Sequence, residues 1–440
     1  MGSNRLKAGA SSVNITPETP CFLFGYPFVE RTSTGVNDRL LSSALYVTDG
    51  KEQVLFISND IIYIAKDSVS RIREAISRKT GIPGKGIMIA ATHTHSGPVT
   101  VNCADSANDP VVPLVDEGYL DYMEERSVEA AYQAYLKAEP VEIGLVKGDA
   151  TGVGTNRHDP GGASDMEVPM MLVRNRDGEF IAGLLVCSMH PTVLHEDSTL
   201  FSGDFPHYVR ESLQGHLGSQ CTFVYCTGAA GNQSPRHVTR GNTFAEAKRL
   251  GEIVAGSLLS KIPGAATYVP EATLLSAQTS IDLPKRSFPG EAWATRNRDR
   301  ARERFEISRK EGRDPRETRT AEVDWFGAEE LLFFSTLAAS GSIGDYYEKC
   351  LPAEIQAIKI GEWTFVAWPG EIFVEYGLAL KQRVENSFLI TCANGELQGY
   401  IVTREADERR SYEAGNSLFH YTAGEIMSRE TVELLNEWEV

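Results

Sequence analysis

Short apolar runs of strand length alternate with amphipathic runs of helical length along most of the 440 residues. Several of the short runs break off into loops rich in His, Gly, Pro and carboxylates. Such alternation builds an α/β fold with helices packed on sheets, not segregated all-β and all-α halves. Strand candidates are residues 44–47, 53–58, 86–91, 141–146, 181–188 and 222–226, then 266–279, 353–360, 364–368 and 388–391. Helical candidates are 65–79, 116–138, 205–217 and 244–261, the last with Leu250, Ile253, Val254 and Leu258 near 3.6-residue spacing. The expectation is one large mixed-sheet α/β domain over residues 1–440. Its chemistry is expected at strand carboxyl ends, where open α/β sheets usually place it.

A formal charge of −17 argues against nucleic acid as a partner and against anionic membrane surfaces. No apolar run reaches the ~20 residues of a membrane-spanning helix. The first ten residues lack the apolar centre of a secretory signal. Seven scattered cysteines describe no disulfide framework, so a reduced, cytoplasmic chain is expected, a removed signal being the alternative. Cys187 and His190 form a C-x-x-H half-site, but an unpaired cysteine is more often a small buried hydrophobe. Residues 285–320 hold ten Arg and two Lys, and 325–337 follow as an amphipathic helix. Residues 285–340 therefore read as a helical insertion within the domain. It is either a lid or oligomer contact, or a solvated face laced by i,i+4 ion pairs.

The stretch Ala91-Thr92-His93-Thr94-His95-Ser96-Gly97-Pro98 ends a buried strand in two imidazoles and a Gly-Pro turn. Histidines at i and i+2 can aim at one point, one as metal ligand and the other as proton carrier. Alone, the pair reads equally as two polar loop residues. Other strands end alike. Residues 181–189 run into His190-Pro191, with His195 and Ser202-Gly203-Asp204 beyond. Residues 222–226 open into a loop of small residues at 227–235, whose bare N–H groups can stabilise an oxyanion. Residues 364–368 end in Pro369-Gly370-Glu371, and 388–391 lead through Asn394 and Gly399 to Tyr400. His93, His190 and Glu371 together supply the two-His, one-carboxylate set of catalytic zinc sites that keep a position for water.

In this order the motifs resemble the neutral/alkaline non-lysosomal ceramidase family and its bacterial members. The resemblance runs from Ala8-Gly9-Ala10 and Asn14-Ile15-Thr16-Pro17 through Gly25-Tyr26, the His93–His95 segment, Asn156-Arg157, Met189-His190 and Gly231-Asn232-Gln233-Ser234-Pro235. It ends at Trp368-Pro369-Gly370-Glu371, Gly399-Tyr400-Ile401-Val402-Thr403 and Tyr412-Glu413. It implies Zn2+ on His93, His190, Glu371 and Tyr400, with His95 as proton carrier. Arg157 and Tyr412 would hold the amide carbonyl, and Ser234 would act as nucleophile or as substrate positioner. A phenol bound to zinc should ionise far below its free pKa of ~10. The activity implied is amide-bond hydrolysis of an N-acyl lipid in sphingolipid metabolism, a smaller soluble amide or ester being the alternative. Homo-oligomer formation is left open.

Asn232 stands where the family carries Asp, and Pro-Thr-Val-Leu-His-Glu after His190 is unlike the family's stretch. No immunoglobulin-like carboxyl-terminal domain is expected. Two rivals use the same histidines differently. A (β/α)8-barrel amidohydrolase carries His-x-His on its first strand with a metal-bridging lysine later; here at least two strands precede the motif. A non-enzymatic, metal-stabilised binding protein would need the cluster but not the groups around it.

Overall fold

Most strands read as unbroken apolar runs because both of their faces are covered. The computed structural model describes residues 5–265 and 267–438. One sheet contains β1 (Lys7–Asn14), β2 (Leu41–Thr48), β3 (Gln53–Asn59), β4 (Ile87–Ala91), β5 (Glu139–Asp149), β6 (Glu167–Asn175), β7 (Phe180–Cys187) and β8 (Thr222–Thr227). Their spatial order is β8-β7-β6-β5-β1-β2-β3-β4. A second sheet holds β9 (Leu274–Ile281), β10 (Ala353–Ile360), β11 (Trp363–Ala367) and β12 (Ser387–Ile390), in that order. The helices used below are α1 (Lys66–Thr80), α2 (Glu117–Leu136), α3 (Asp204–Leu217), α4 (Phe244–Ala265), α5 (Glu291–Glu311), α6 (Pro315–Ser340), α7 (Gly344–Cys350), α8 (Val374–Arg383) and α9 (Ala423–Asn436).

Alternate side chains of each strand enter different cores. Phe56, Met88, Val224, Phe365 and Phe388 meet in a central core that all the sheet surfaces share. Their neighbours point the other way. Leu55, Ile57 and Ile89 pack under α1 and α2. Leu185, Phe223 and Tyr225 pack under α3 and α4. Ile355, Val366 and Leu389 pack under α7, α8 and α9. Each such side chain contributes roughly 1.5–3 kcal/mol by leaving water.

The helices are bounded by local chemistry. Asp116 caps α2 by accepting hydrogen bonds from Gly118 N and Tyr119 N. Gly81 ends α1 at φ 77°, its N–H donating to Ser77 O. The strand expected from residue 266 instead begins at Leu274, since α4 runs on to Ala265. Ala266 itself lies outside the described residues. Pro270 has no N–H for a ladder, and among the described residues that stretch pairs through isolated bridges (Val269 to Ile143, Glu271 to Arg5) in place of a strand ladder. The seven cysteines form no disulfide.

Three β-α-β units organise the carboxyl ends: β3-α1-β4, β7-α3-β8 and β11-α8-β12, each pairing its strands in parallel. The second strands meet at their ends. Thr227 Oγ1 donates to Thr92 O at 2.7 Å, Thr391 N to Thr227 O at 2.8 Å, and Ala91 N to Cys392 O at 3.0 Å. A parallel strand must return through a crossover, so both carboxyl ends of each unit emerge on one side. Six loops thus open onto one region.

Candidate functional site

Each of the six loops delivers something to that region. Tyr63 follows β3, His93 and His95 follow β4, and His190 follows β7. The loop after β8 supplies the Ala230 carbonyl and Ser234, while Glu371 follows β11 and Tyr400 follows β12. His93 adopts φ 65°, a left-handed conformation that costs a non-glycine residue about 1–3 kcal/mol. Its N–H donates to Ile61 O at 2.9 Å, which holds the turn.

The three imidazoles converge through Nε2. His93 Nε2 lies 2.9 Å and His95 Nε2 3.3 Å from His190 Nε2. The other ring nitrogens all meet backbone carbonyls: His93 Nδ1 at Ile62 O (2.9 Å), His95 Nδ1 at Gly25 O (2.8 Å) and His190 Nδ1 at Ala230 O (3.2 Å). A carbonyl only accepts, so each Nδ1 carries the hydrogen and each Nε2 presents a lone pair. Glu371 Oε2 faces the same point, 3.2 Å from His93 Nε2 and 3.6 Å from His190 Nε2, without receiving a hydrogen bond. Tyr63 Oη donates to the other oxygen, Oε1, at 2.5 Å. Three lone pairs and a carboxylate oxygen buried together repel one another unless a cation lies between them. This donor set fits a divalent metal.

Electrostatics agree. Burial is the main cause that holds both His95 and His190 well below the usual histidine value. Burial alone would raise Glu371, but His93 and the Tyr63 hydroxyl outweigh it and keep the carboxyl below the ordinary range. Tyr400 stands beside Glu371, its register partner in a short parallel pairing. Burial and the Glu371 charge push its phenol well above 10. Gly399 makes the approach feasible: at φ 110° a Cβ there would lie 1.9 Å from Asn416 O.

Arg157 and Ser234 arrive on paired strands, with Thr155 opposite Ser234 and Asn156 opposite Gln233. Arg157 Nε donates to Glu413 Oε1 at 2.6 Å, and its guanidinium lies over the Tyr400 ring at 5.3 Å and the Tyr412 ring at 6.0 Å. Glu413 also meets His158 Nε2 at 2.7 Å and is held far below the usual carboxylate range, the Arg157 charge outweighing burial. Asn232 binds α8 through Val374 N (2.8 Å) and Glu375 (2.9 Å).

Two small cavities, about 60 and about 110 Å³, meet here and share Tyr26, His95, Tyr400 and Tyr412. Hollows of about 590 and about 620 Å³ lie outward, beyond Tyr412 and beside Phe326, and neither contains a histidine. The chemistry belongs to the small cavities, where the ionisable groups converge. The structure therefore gathers all eight residues singled out from sequence: His93, His95, His190, Glu371, Tyr400, Arg157, Tyr412 and Ser234. Sequence reasoning missed Tyr63, Glu413 and His158, which sit in no motif of their own. Glu413, directly after Tyr412, belongs to the tail pattern but carries no signal of its own. Cys187 is no half-site: it is buried under α3 and α4, and burial pushes its thiol up to about 12. Within residues 285–320, Arg319 reaches the cavity wall, whereas Arg298, Arg302 and Arg304 pair with carboxylates on α5 and α6.

Two solved structures are similar in fold. Neutral ceramidase from Pseudomonas aeruginosa superposes with a TM-score of 0.75 at 17% identity, covering 98% of this chain and 74% of that one. A ceramidase complexed with C2 gives 0.77 at 17% identity, covering 98% and 75%. At this identity the likeness concerns fold alone. The family model described as neutral/alkaline non-lysosomal ceramidase, N-terminal, matches residues 6–235, more than half of the chain and the segment holding all three converging histidines. The chain belongs to the neutral/alkaline non-lysosomal ceramidase family.

Proposed function

We propose that this chain is a zinc-dependent hydrolase that cleaves the carbon–nitrogen bond of an N-acyl amide, ceramide-like lipids being the substrate class its family membership suggests. The observation that carries the reading is the convergence of three Nε2 lone pairs with Glu371 Oε2, every Nδ1 hydrogen being committed to a carbonyl. His93, His190, Glu371 and Tyr400 would hold the ion. When bound, zinc polarises a carbonyl and lowers the pKa of water toward ~7.

The chain's own groups do the rest. His95 stays neutral because its ring is buried, so its Nε2 can take a proton and hand it to the departing amine. Arg157, its charge secured by Glu413, and Tyr412 would bind the carbonyl oxygen as negative charge develops. Ser234 lines the same cavity as His95 and Arg157 and would act there as nucleophile or as substrate positioner. The close walls exclude bulk water, which strengthens each of these interactions.

Metal analysis of purified protein, with hydrolysis of short-chain ceramide and of a simple N-acyl amide before and after chelation, tests the reading. The expected result is one zinc per chain and activity that disappears on chelation and returns with zinc. Hydrolysis that survives complete metal removal would overturn it.

A further inference from the structure

Arg236 lines the small cavity beside Ser234, His190 and Arg157. The other arginines of that wall have carboxylate partners. Arg157 has Glu413 at 2.6 Å, and Arg319 has Glu196 at 3.0 Å and Glu322 at 2.7 Å. Among the described residues the Arg236 guanidinium has no carboxylate in ion-pair contact and donates no hydrogen bond, although the charges of Glu413 and Asp324 act on it from further off; its backbone N–H is engaged, by Ser234 Oγ at 3.0 Å. Burial, followed by the charge of Arg157, pulls its pKa down to about 10. Arg236 is half-buried, whereas Arg157 Nη2 is fully buried without a hydrogen-bond partner. A cation partly withdrawn from water and set among other cations normally gains a counter-ion. With 60 Asp and Glu against 43 Lys and Arg, this chain has carboxylates to spare. Leaving Arg236 unpaired beside the reacting groups therefore marks a place for an anion that arrives from outside. Guanidinium is the group best shaped to grip a carboxylate with two N–H bonds.

The same cavity also has an apolar stretch. Val323 and Phe326 line it, and Phe326 continues into the outward hollow where Phe28 stacks on Trp325 at 5.9 Å. The cavity thus offers apolar surface to an acyl chain and a cation to an acid. We propose that Arg236, backed by Arg157, forms a carboxylate subsite, and that the amide this chain cleaves carries an acidic group, as an N-acyl amino acid does and a neutral ceramide does not. The proposal rests on the amide-hydrolase reading above and narrows its substrate.

The test compares an N-acyl amino acid with its carboxamide, matched in acyl chain, alongside short-chain ceramide in detergent. Wild-type enzyme should favour the carboxylate in kcat/KM by roughly 10- to 100-fold, the reach of one charge-assisted hydrogen bond. Arg236→Gln should bring that ratio near one, and Arg236→Lys should restore part of it. Equal turnover of the two substrates by wild type, or a ratio that survives Arg236→Gln, overturns the subsite. Calorimetric binding of a non-hydrolysable ketone analogue, as carboxylate and as carboxamide, reads the same preference without turnover. Preference in binding with no amide cleaved would keep the subsite and sink the hydrolase reading. Cleavage of ceramide and of both amides without preference would do the reverse.

Discussion

Tyr63→Phe removes one oxygen atom and tests whether the site is built around a cation. In the wild type Tyr63 Oη donates to Glu371 Oε1 at 2.5 Å, and both residues are buried. The other carboxylate oxygen has no hydrogen bond, so Tyr63 supplies the one orienting contact from a protein donor. A hydrogen bond to a charged group contributes about 1.5–3 kcal/mol. Groups that orient a metal-binding side chain are worth about 10- to 100-fold in metal affinity. The two figures agree, since a factor of ten is about 1.4 kcal/mol. Competition titration against a chromogenic chelator should therefore show zinc affinity weakened by ~10–100-fold. Excess zinc should restore most of the turnover, because no reacting group has been removed. For a chain of this size a loss of ~2 kcal/mol lowers Tm by only about 2 °C, so affinity is the sharper reading. Unchanged affinity with an unchanged melting curve would refute the claim that Glu371 is held in place for a metal.

Three further outcomes are expected. His93→Ala should lose metal and activity together, whereas His95→Ala should keep the metal and lose ~10²–10⁴-fold in turnover; equal loss of zinc from both would make His95 a ligand. Glu413→Gln leaves the buried Arg157 guanidinium without its counter-charge and should destabilise the fold by about 3–5 kcal/mol in chemical denaturation; a change below about 1 kcal/mol would mean the pair is not what secures Arg157. Asp204 is pushed up to about 7 by burial, against three backbone N–H donors that pull the other way. Its folded pKa lies above its unfolded value, so its contribution is complete below about 4 and is lost as pH rises through about 7, by up to about 4 kcal/mol. Wild-type stability should carry that slope and Asp204→Asn should not.

The sequence alone determined the elements whose signal is local. β3, β4, β7 and β8 were legible as apolar runs, since two covered faces leave little polar alternation to confuse them, and β10 as an alternating run, AEIQAIKI. α2 was legible from Asp116 and its periodic apolar face. β1 was not: Lys7–Asn14 is small and polar in half its positions, and its strand state comes from pairing with β2 over its full length. The start of β9 was misplaced because Pro270 breaks a ladder that composition alone extends.

The candidate site divides the same way. His93, His190 and Glu371 announced themselves as strand-end residues of ligand type, whereas Tyr400 was picked out only by the family resemblance. Whether their side chains meet is a tertiary matter, decided by the hydrogen bonds that join the ends of β4, β8 and β12 across some 300 residues of chain. Tyr63 and Glu413 had no signal in sequence, because a buried hydroxyl or carboxylate looks like any other until its partner is known. Only the fold sets the Tyr63 hydroxyl on Glu371 and the Glu413 carboxylate on Arg157. Orientation of an imidazole is set by where its second nitrogen finds a carbonyl, and Ile62, Gly25 and Ala230 present theirs from three loops far apart in sequence.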